Sequence, residues 1–153
     1  MSDDGEREIR SVILPVGADL YAVPIEWVRE VVAAPTLTRL VTAPPLILGL
    51  MNLRGEIVPV FDTAVLLGVG SIGTAAFAAV VHTPMGHAAL AATGLPSRAS
   101  LGSASEPSEL PGTAGVYQVE RGVAVLLDLD ALLTNDRLEG LASSAAPRPV
   151  GVA

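Results

Sequence analysis

Cysteine and lysine are both missing from this chain of 153 residues, and aromatic residues are few: one Trp, two Tyr and two Phe. Without cysteine there is no disulfide, no thiolate metal site and no thiol nucleophile, as suits a reducing compartment. All 9 cations are arginine and face 16 acids, a formal charge of −7. The clustered positive charge that tracks a phosphate backbone is therefore lacking, and nucleic acid is not expected as a partner. Charge of either sign is absent between Asp62 and Arg98, a stretch longer than the ~20 apolar residues of a membrane span. Glycine and proline at Gly68, Gly70, Gly73, Pro84, Gly86, Gly94 and Pro96 divide it, and its longest wholly apolar run, Ala75 to Val81, is strand-sized. The opening Met1-Ser2-Asp3-Asp4-Gly5-Glu6 is acidic where a signal peptide is basic and then apolar. A cytoplasmic protein without direct membrane insertion is expected.

What is present is apolar: 50% of the chain, enough for one domain with a real core. Ser11 to Val16 and Leu20 to Pro24 read as a hairpin across Gly17-Ala18-Asp19. Ile25, Val28, Val31 and Val32 then share one side of a 3.6-residue period with Glu26, Arg29 and Glu30 on the other, which predicts a short amphipathic helix before Pro35. Thr36 to Val41 could be a strand; Pro44-Pro45 sets a turn, and Leu46 to Gly49 is too short to classify. Met51 to Leu53, Arg54-Gly55 and Glu56 to Phe61 read as strand, tight turn, strand. Asp62 can cap a helix over Thr63 to Leu67 that ends at Gly68. Further on come strand Ala75 to His82, a turn at Thr83 to Gly86, and strand His87 to Thr93. Leu95 to Ala114 has loop composition with room for a hidden short strand; Tyr117 to Glu120 and Val123 to Leu127 form a hairpin across Arg121-Gly122, and Asp128 can cap Leu129 to Leu133. Residues 1–7 and 136–153 are expected to be flexible, leaving a domain over 8–135.

An internal repeat shows through. Arg54-Gly55, a β-like run, Asp62 and Leu66-Leu67 are matched by Arg121-Gly122, a β-like run, Asp128 and Leu132-Leu133. Each half is too small for a good core of its own, so the short strands should close into small barrels that pack together.

Leu20-Tyr21-Ala22-Val23-Pro24, Val28-Arg29-Glu30-Val31, the block from Gly49 through Asn52-Leu53-Arg54-Gly55 and Pro59-Val60 to Asp62, and Leu126 to Leu133 resemble the CheW-like family, the coupling proteins of bacterial chemotaxis. The resemblance spans about Glu8 to Asn135. It implies a mainly β fold of two intertwined five-stranded, SH3-like barrels with short helices. It also implies a non-catalytic adaptor, without cofactor, whose partners are the signalling tip of chemoreceptors and the regulatory domain of a CheA-type histidine kinase. Partner contact is implied first at Arg54, with Asn52, Gly55, Gly49, Glu30 and Val28 around it. One departure lies in the second half: Gly86 to Pro96 lacks the aspartate usual there and breaks at Gly94-Leu95-Pro96. It motivates an alternative, a stand-alone module of a pilus-type or other pathway that no longer bridges a kinase.

Each residue also has a plain reading. Arg54 on its own reads as a solvated turn arginine; the resemblance turns it into a contact, for which a planar fork on an apolar stem is suited. Asn52 can simply bond its own turn, and Gly55 can serve its backbone angles. Gly49 reads as a turn glycine or as room for another backbone. Val28 and Val31 read as core on the apolar face, Glu30 as the better contact. Trp27 is either an anchor on a barrel or a partner-facing side chain. Asp62 and Asp128 are helix caps before they are catalytic carboxylates. His82 and His87 flank a hairpin turn and can face one another, but two histidines make a poor metal site. A hydrolase built on serine and one of these histidines has no nucleophile elbow to support it.

Overall fold

The computed structural model describes residues 8–144. Two hairpins sit at its centre: β1 (Ile9–Val16) with β2 (Asp19–Pro24), and β7 (Phe77–Thr83) with β8 (Gly86–Ala92). Between them run a single 3-10 turn (Ile25–Trp27), β3 (Val28–Ala33), β4 (Leu37–Thr38), β5 (Ile47–Leu53), β6 (Glu56–Phe61) and α1 (Thr63–Leu67). After β8 come β9 (Ser97–Leu101), β10 (Thr113–Val119), β11 (Gly122–Leu127), α2 (Leu129–Leu132) and α3 (Asn135–Ser144).

The pairing is crossed. One curled sheet has the order β10-β11-β2-β1-β9, the other β3-β7-β8-β6-β5-β4. Each central hairpin thus hands its next strand to the opposite sheet: β3 leaves β2 to pair with β7, and β9 leaves β8 to pair with β1. Each sheet is completed by a parallel seam, β2 with β11 and β8 with β6. The expected mainly β, intertwined architecture is what the structure has. The second sheet gains a sixth strand because β4 adds a two-residue ladder to Leu50 and Met51.

Alternation along the central strands serves two cores at once. Val12, Leu14, Val16, Tyr21 and Val23 point from the first sheet, and Ala79, Val81, Ala88, Leu90 and Ala92 from the second, into a common core closed by α1 and α2. The intervening residues fill the hollow of each sheet: Ile13, Ala22, Ala124 and Leu126 in one, Ala78, Val80, Ala89 and Ala91 in the other. Strands buried on both faces read as unbroken apolar runs, which is why β7 and β8, within the uncharged stretch from Asp62 to Arg98, are apolar almost throughout.

Asp62, 1% exposed, caps α1 through Oδ1, which accepts from Ala64 N (3.0 Å) and Val65 N (3.2 Å). Its Oδ2 also holds the next loop by accepting from Ile72 N (2.9 Å) and Gly73 N (3.1 Å). Gly68 ends α1 at φ 76°, in the left-handed region that suits glycine. Asp128 caps α2 with one side-chain bond, from Ala131 N at 3.2 Å.

Four expectations are corrected. The predicted helix over Ile25 to Val32 is a 3-10 turn followed by strand β3. Burial alternates strictly along β3, but Val31 is apolar on the exposed face while Val28 and Val32 lie on the other, so the apolar spacing mimics a helical period; β-branched Val28, Val31 and Val32 favour extended chain. The strand expected over Thr36 to Val41 shrinks to β4, with Leu40 45% and Val41 101% exposed before Pro44-Pro45. The second repeat turns at Glu120-Arg121, with Val119 opposite Gly122, one residue before the expected Arg121-Gly122. Residues 135–144 form α3, not a tail: Leu138 and Leu141 pack on the common core, and Arg137 Nη2 donates to Leu66 O at 2.7 Å. Residues 145–153 and the expected flexible N-terminus, 1–7, lie outside the described residues. The unclassified Leu46 to Gly49 leads into β5, and β9 is the short strand hidden in the Ser/Pro/Gly-rich segment.

Candidate functional site

The β5–β6 hairpin turns on Arg54 (φ 53°) and Gly55 (φ 91°), two positive angles that match the twist of a two-residue hairpin. Asn52 Oδ1 accepts from Gly55 N at 2.9 Å and locks the turn. Gly49 lies in β5 against β4: a Cβ there would stand 2.9 Å from Thr38 O and 3.0 Å from Leu37 Cβ. Of its two readings, room for another backbone is the one realised, and that backbone belongs to the chain itself.

Held this way, Arg54 reaches β3. Its Nη1 donates to Glu30 Oε2 at 3.2 Å and its Nη2 to Glu30 Oε1 at 2.5 Å, a fork-to-fork pair. Arg29, next in sequence to Glu30, makes a second link through Nη1 to Glu56 Oε1 at 3.2 Å. β3 and β5–β6 are separated in the sheet by β7 and β8, so both ion pairs span the gap left where the sheet curls round. Arg54 is nonetheless at the surface, its side chain 61% exposed against 29% for Glu30. It is neither free nor turned inward.

His82 and His87 do face each other, as register partners across the β7–β8 turn, with ring centroids 4.9 Å apart. They extend the cluster: His87 Nδ1 lies 2.6 Å from Glu56 Oε2, and His87 Nε2 lies 3.1 Å from His82 Nδ1. Among the described residues no group of three or more His, Asp or Glu side chains is placed to hold a metal ion.

The bond from Arg54 holds the Glu30 carboxyl below its ordinary 4.5, and the bond from His87 does the same for Glu56. Both groups bind a proton less readily folded than unfolded. The stability they supply is full above the ordinary carboxylate value and is lost as pH falls through the lowered folded values. Thermal melting between about pH 6 and pH 3 is therefore expected to fall less steeply for Glu30→Gln/Glu56→Gln than for the parent; parallel profiles would contradict the assignment.

Beside Glu30 opens a groove of about 440 Å³ between the two sheets. Val28 and Val31 of β3 form one wall, Leu95 and Pro96 the other, with Ile25 and Arg98 at its end. Val31 is 40% exposed and Leu95 67%, so Val31 belongs to the groove and not, as expected, to the core. Val28 is half-buried and borders both. Trp27 packs partly buried against the common core, as an anchor would. A recess of about 500 Å³ beside Asp19, Tyr21 and Arg121 contains none of the residues expected to contact a partner. Glu30 and Val28 thus line the groove, Arg54 is joined to it through its ion pair with Glu30, Asn52 and Gly55 shape the turn that carries Arg54, and Gly49 is a packing residue. Leu95 and Arg98 carry no signal in sequence, since they follow a Gly-Leu-Pro break in loop-like composition. Among the described residues no helix is long and apolar enough to cross a membrane.

The crossed pairing of two curled sheets is an architecture shared with a solved scaffolding protein. The solved structure of the scaffolding protein TtCheW from Thermoanaerobacter tengcongensis superposes with a TM-score of 0.68 at 23% identity, covering 84% of this chain and 95% of that one. A family model, CheW-like domain, matches residues 10–137, and the chain belongs to that family. No match was found among curated proteins.

Proposed function

We propose that this chain is a non-catalytic adaptor of the cytoplasm that couples the signalling tip of chemoreceptors to the regulatory domain of a CheA-type histidine kinase. The observation that carries the reading is Arg54: a guanidinium fixed at a hairpin tip, 61% exposed, and paired with Glu30, which lines an apolar groove. A receptor tip is helical, and an amphipathic helix seats its apolar face in such a groove while a charged fork at the rim sets its register. Coupling then requires that receptor and kinase each contact the adaptor differently in two states of the assembly. The Gly94-Leu95-Pro96 departure that motivates a stand-alone module makes the connection from β8 to β9, and Leu95 and Pro96 line the groove. It is part of the surface, which favours the coupling reading.

Pull-down with soluble receptor-tip and kinase regulatory fragments tests this. The parent is expected to retain both, and Arg54→Glu to lose at least tenfold in affinity for the fragment that contacts the hairpin tip, as for a charge contact reversed into repulsion. Absence of binding to either fragment by the parent would end the reading.

A further inference from the structure

Arg10 and Arg98 stand side by side across the β1–β9 ladder, where the register pairs Arg10 with Ser100 and Val12 with Arg98. They are diagonal neighbours on the face that Val12 presents to the common core. Both are exposed, and among the described residues neither has a carboxylate within ion-pair distance. Four of the other described arginines are engaged, Arg29 and Arg54 with glutamates, Arg39 and Arg137 with the carbonyls of Gly73 and Leu66, while Arg121 lies apart at the β10–β11 turn. Around the pair lies a recess of about 310 Å³ that shares Ile25 and Arg98 with the groove. A chain of net charge −7 thus places together, at the end of its apolar groove, two forks that no carboxylate among the described residues neutralises.

We infer that Arg10 and Arg98 are a carboxylate anchor, and that the segment seated in the groove is an amphipathic helix whose apolar stripe ends in an aspartate or glutamate. This rests on the docking reading above and adds the partner's charge and direction to it. Like charges across a ladder repel, and a carboxylate between the two forks relieves that repulsion while accepting charge-assisted bonds from both. With apolar contacts along Val28, Val31 and Leu95 and an acid at one end, the helix can enter in one direction only.

Titration of a soluble receptor-tip fragment, followed by fluorescence of the single Trp27, tests the anchor at several salt concentrations with three variants. Arg10→Gln/Arg98→Gln is expected to weaken binding roughly three- to tenfold at low salt, the difference shrinking as salt rises. Arg10→Lys/Arg98→Lys retains most of the affinity, and Val31→Asp, which puts a charge in the apolar wall, removes binding. Thermal melting confirms that each variant is folded. If the glutamine variant matches the parent in affinity and salt dependence while Val31→Asp fails to bind, the anchor is wrong and the groove stands. If Val31→Asp binds like the parent, or the parent does not bind, the docking reading falls and the anchor with it. Tighter binding by the glutamine variant would assign the two arginines to the chain's own Asp3, Asp4 and Glu6 and overturn the inference.

Discussion

A fragment ending at Thr74 is expected to show no cooperative thermal transition by circular dichroism, and so is its complement beginning at Ala75. The crossed pairing is the reason. The first fragment keeps β1–β2 without β9 and β11, and keeps β3 and β6 without β7 and β8, which lie between them. The second has the reverse deficit. Every strand of the two central hairpins then exposes an apolar face or an open edge, in chains of about 75 residues that already bury too little surface to spare any. Mixed in equal amounts, the two fragments are expected to recover the β spectrum and a single transition. A cooperative transition in either fragment alone would mean that the halves are domains, contrary to the shared core of Leu14, Val23, Val81 and Leu90.

The two repeat aspartates should differ widely in weight. Asp62→Ala is expected to cost roughly 3 to 5 kcal/mol, because removing a buried carboxylate that accepts four backbone bonds strands Ala64, Val65, Ile72 and Gly73 together. Asp128→Ala removes one side-chain bond and is expected to cost about 1 kcal/mol, an ordinary cap. Asp62→Asn should fall between, since its amide nitrogen meets N–H groups that need an acceptor. Urea unfolding of the three variants measures this; equal midpoints for Asp62→Ala and Asp128→Ala would contradict it.

That difference also marks where sequence stops informing. Both aspartates are legible as caps from their place ahead of a short apolar helix, but the second carboxylate oxygen of Asp62 bonds a loop ten residues on, and only the fold brings it there. The same holds for the candidate site. Asn52, Arg54 and Gly55 are legible because a two-residue turn constrains each locally. Glu30 as the partner of Arg54 is not, since it depends on the curl that carries β3 round to the hairpin tip. The misread helix at Val28 to Val32 has a local cause, the apolar Val31 on the exposed face next to half-buried Val32, which hides the period of two in the sequence. The missed α3 has a signal in Thr134, whose Oγ1 accepts from Arg137 N at 3.1 Å, a capping hydroxyl placed just ahead of the helix. Leu95 and Arg98 become a groove wall only because β9 crosses to the other sheet.

Arg54 clasps β3 through Glu30 and is proposed also to meet a partner, and a charge exchange separates the two. The most direct measurement is the affinity of the receptor-tip and kinase fragments for Glu30→Arg/Arg54→Glu, set beside its melting temperature. The exchange keeps an ion pair across the curl, so melting should stay close to that of the parent, as the small weight of an exposed pair allows. Binding should stay lost, because the rim then presents a carboxylate where a partner expects a guanidinium. Full recovery of binding by the exchanged pair would show that Arg54 serves only its own fold.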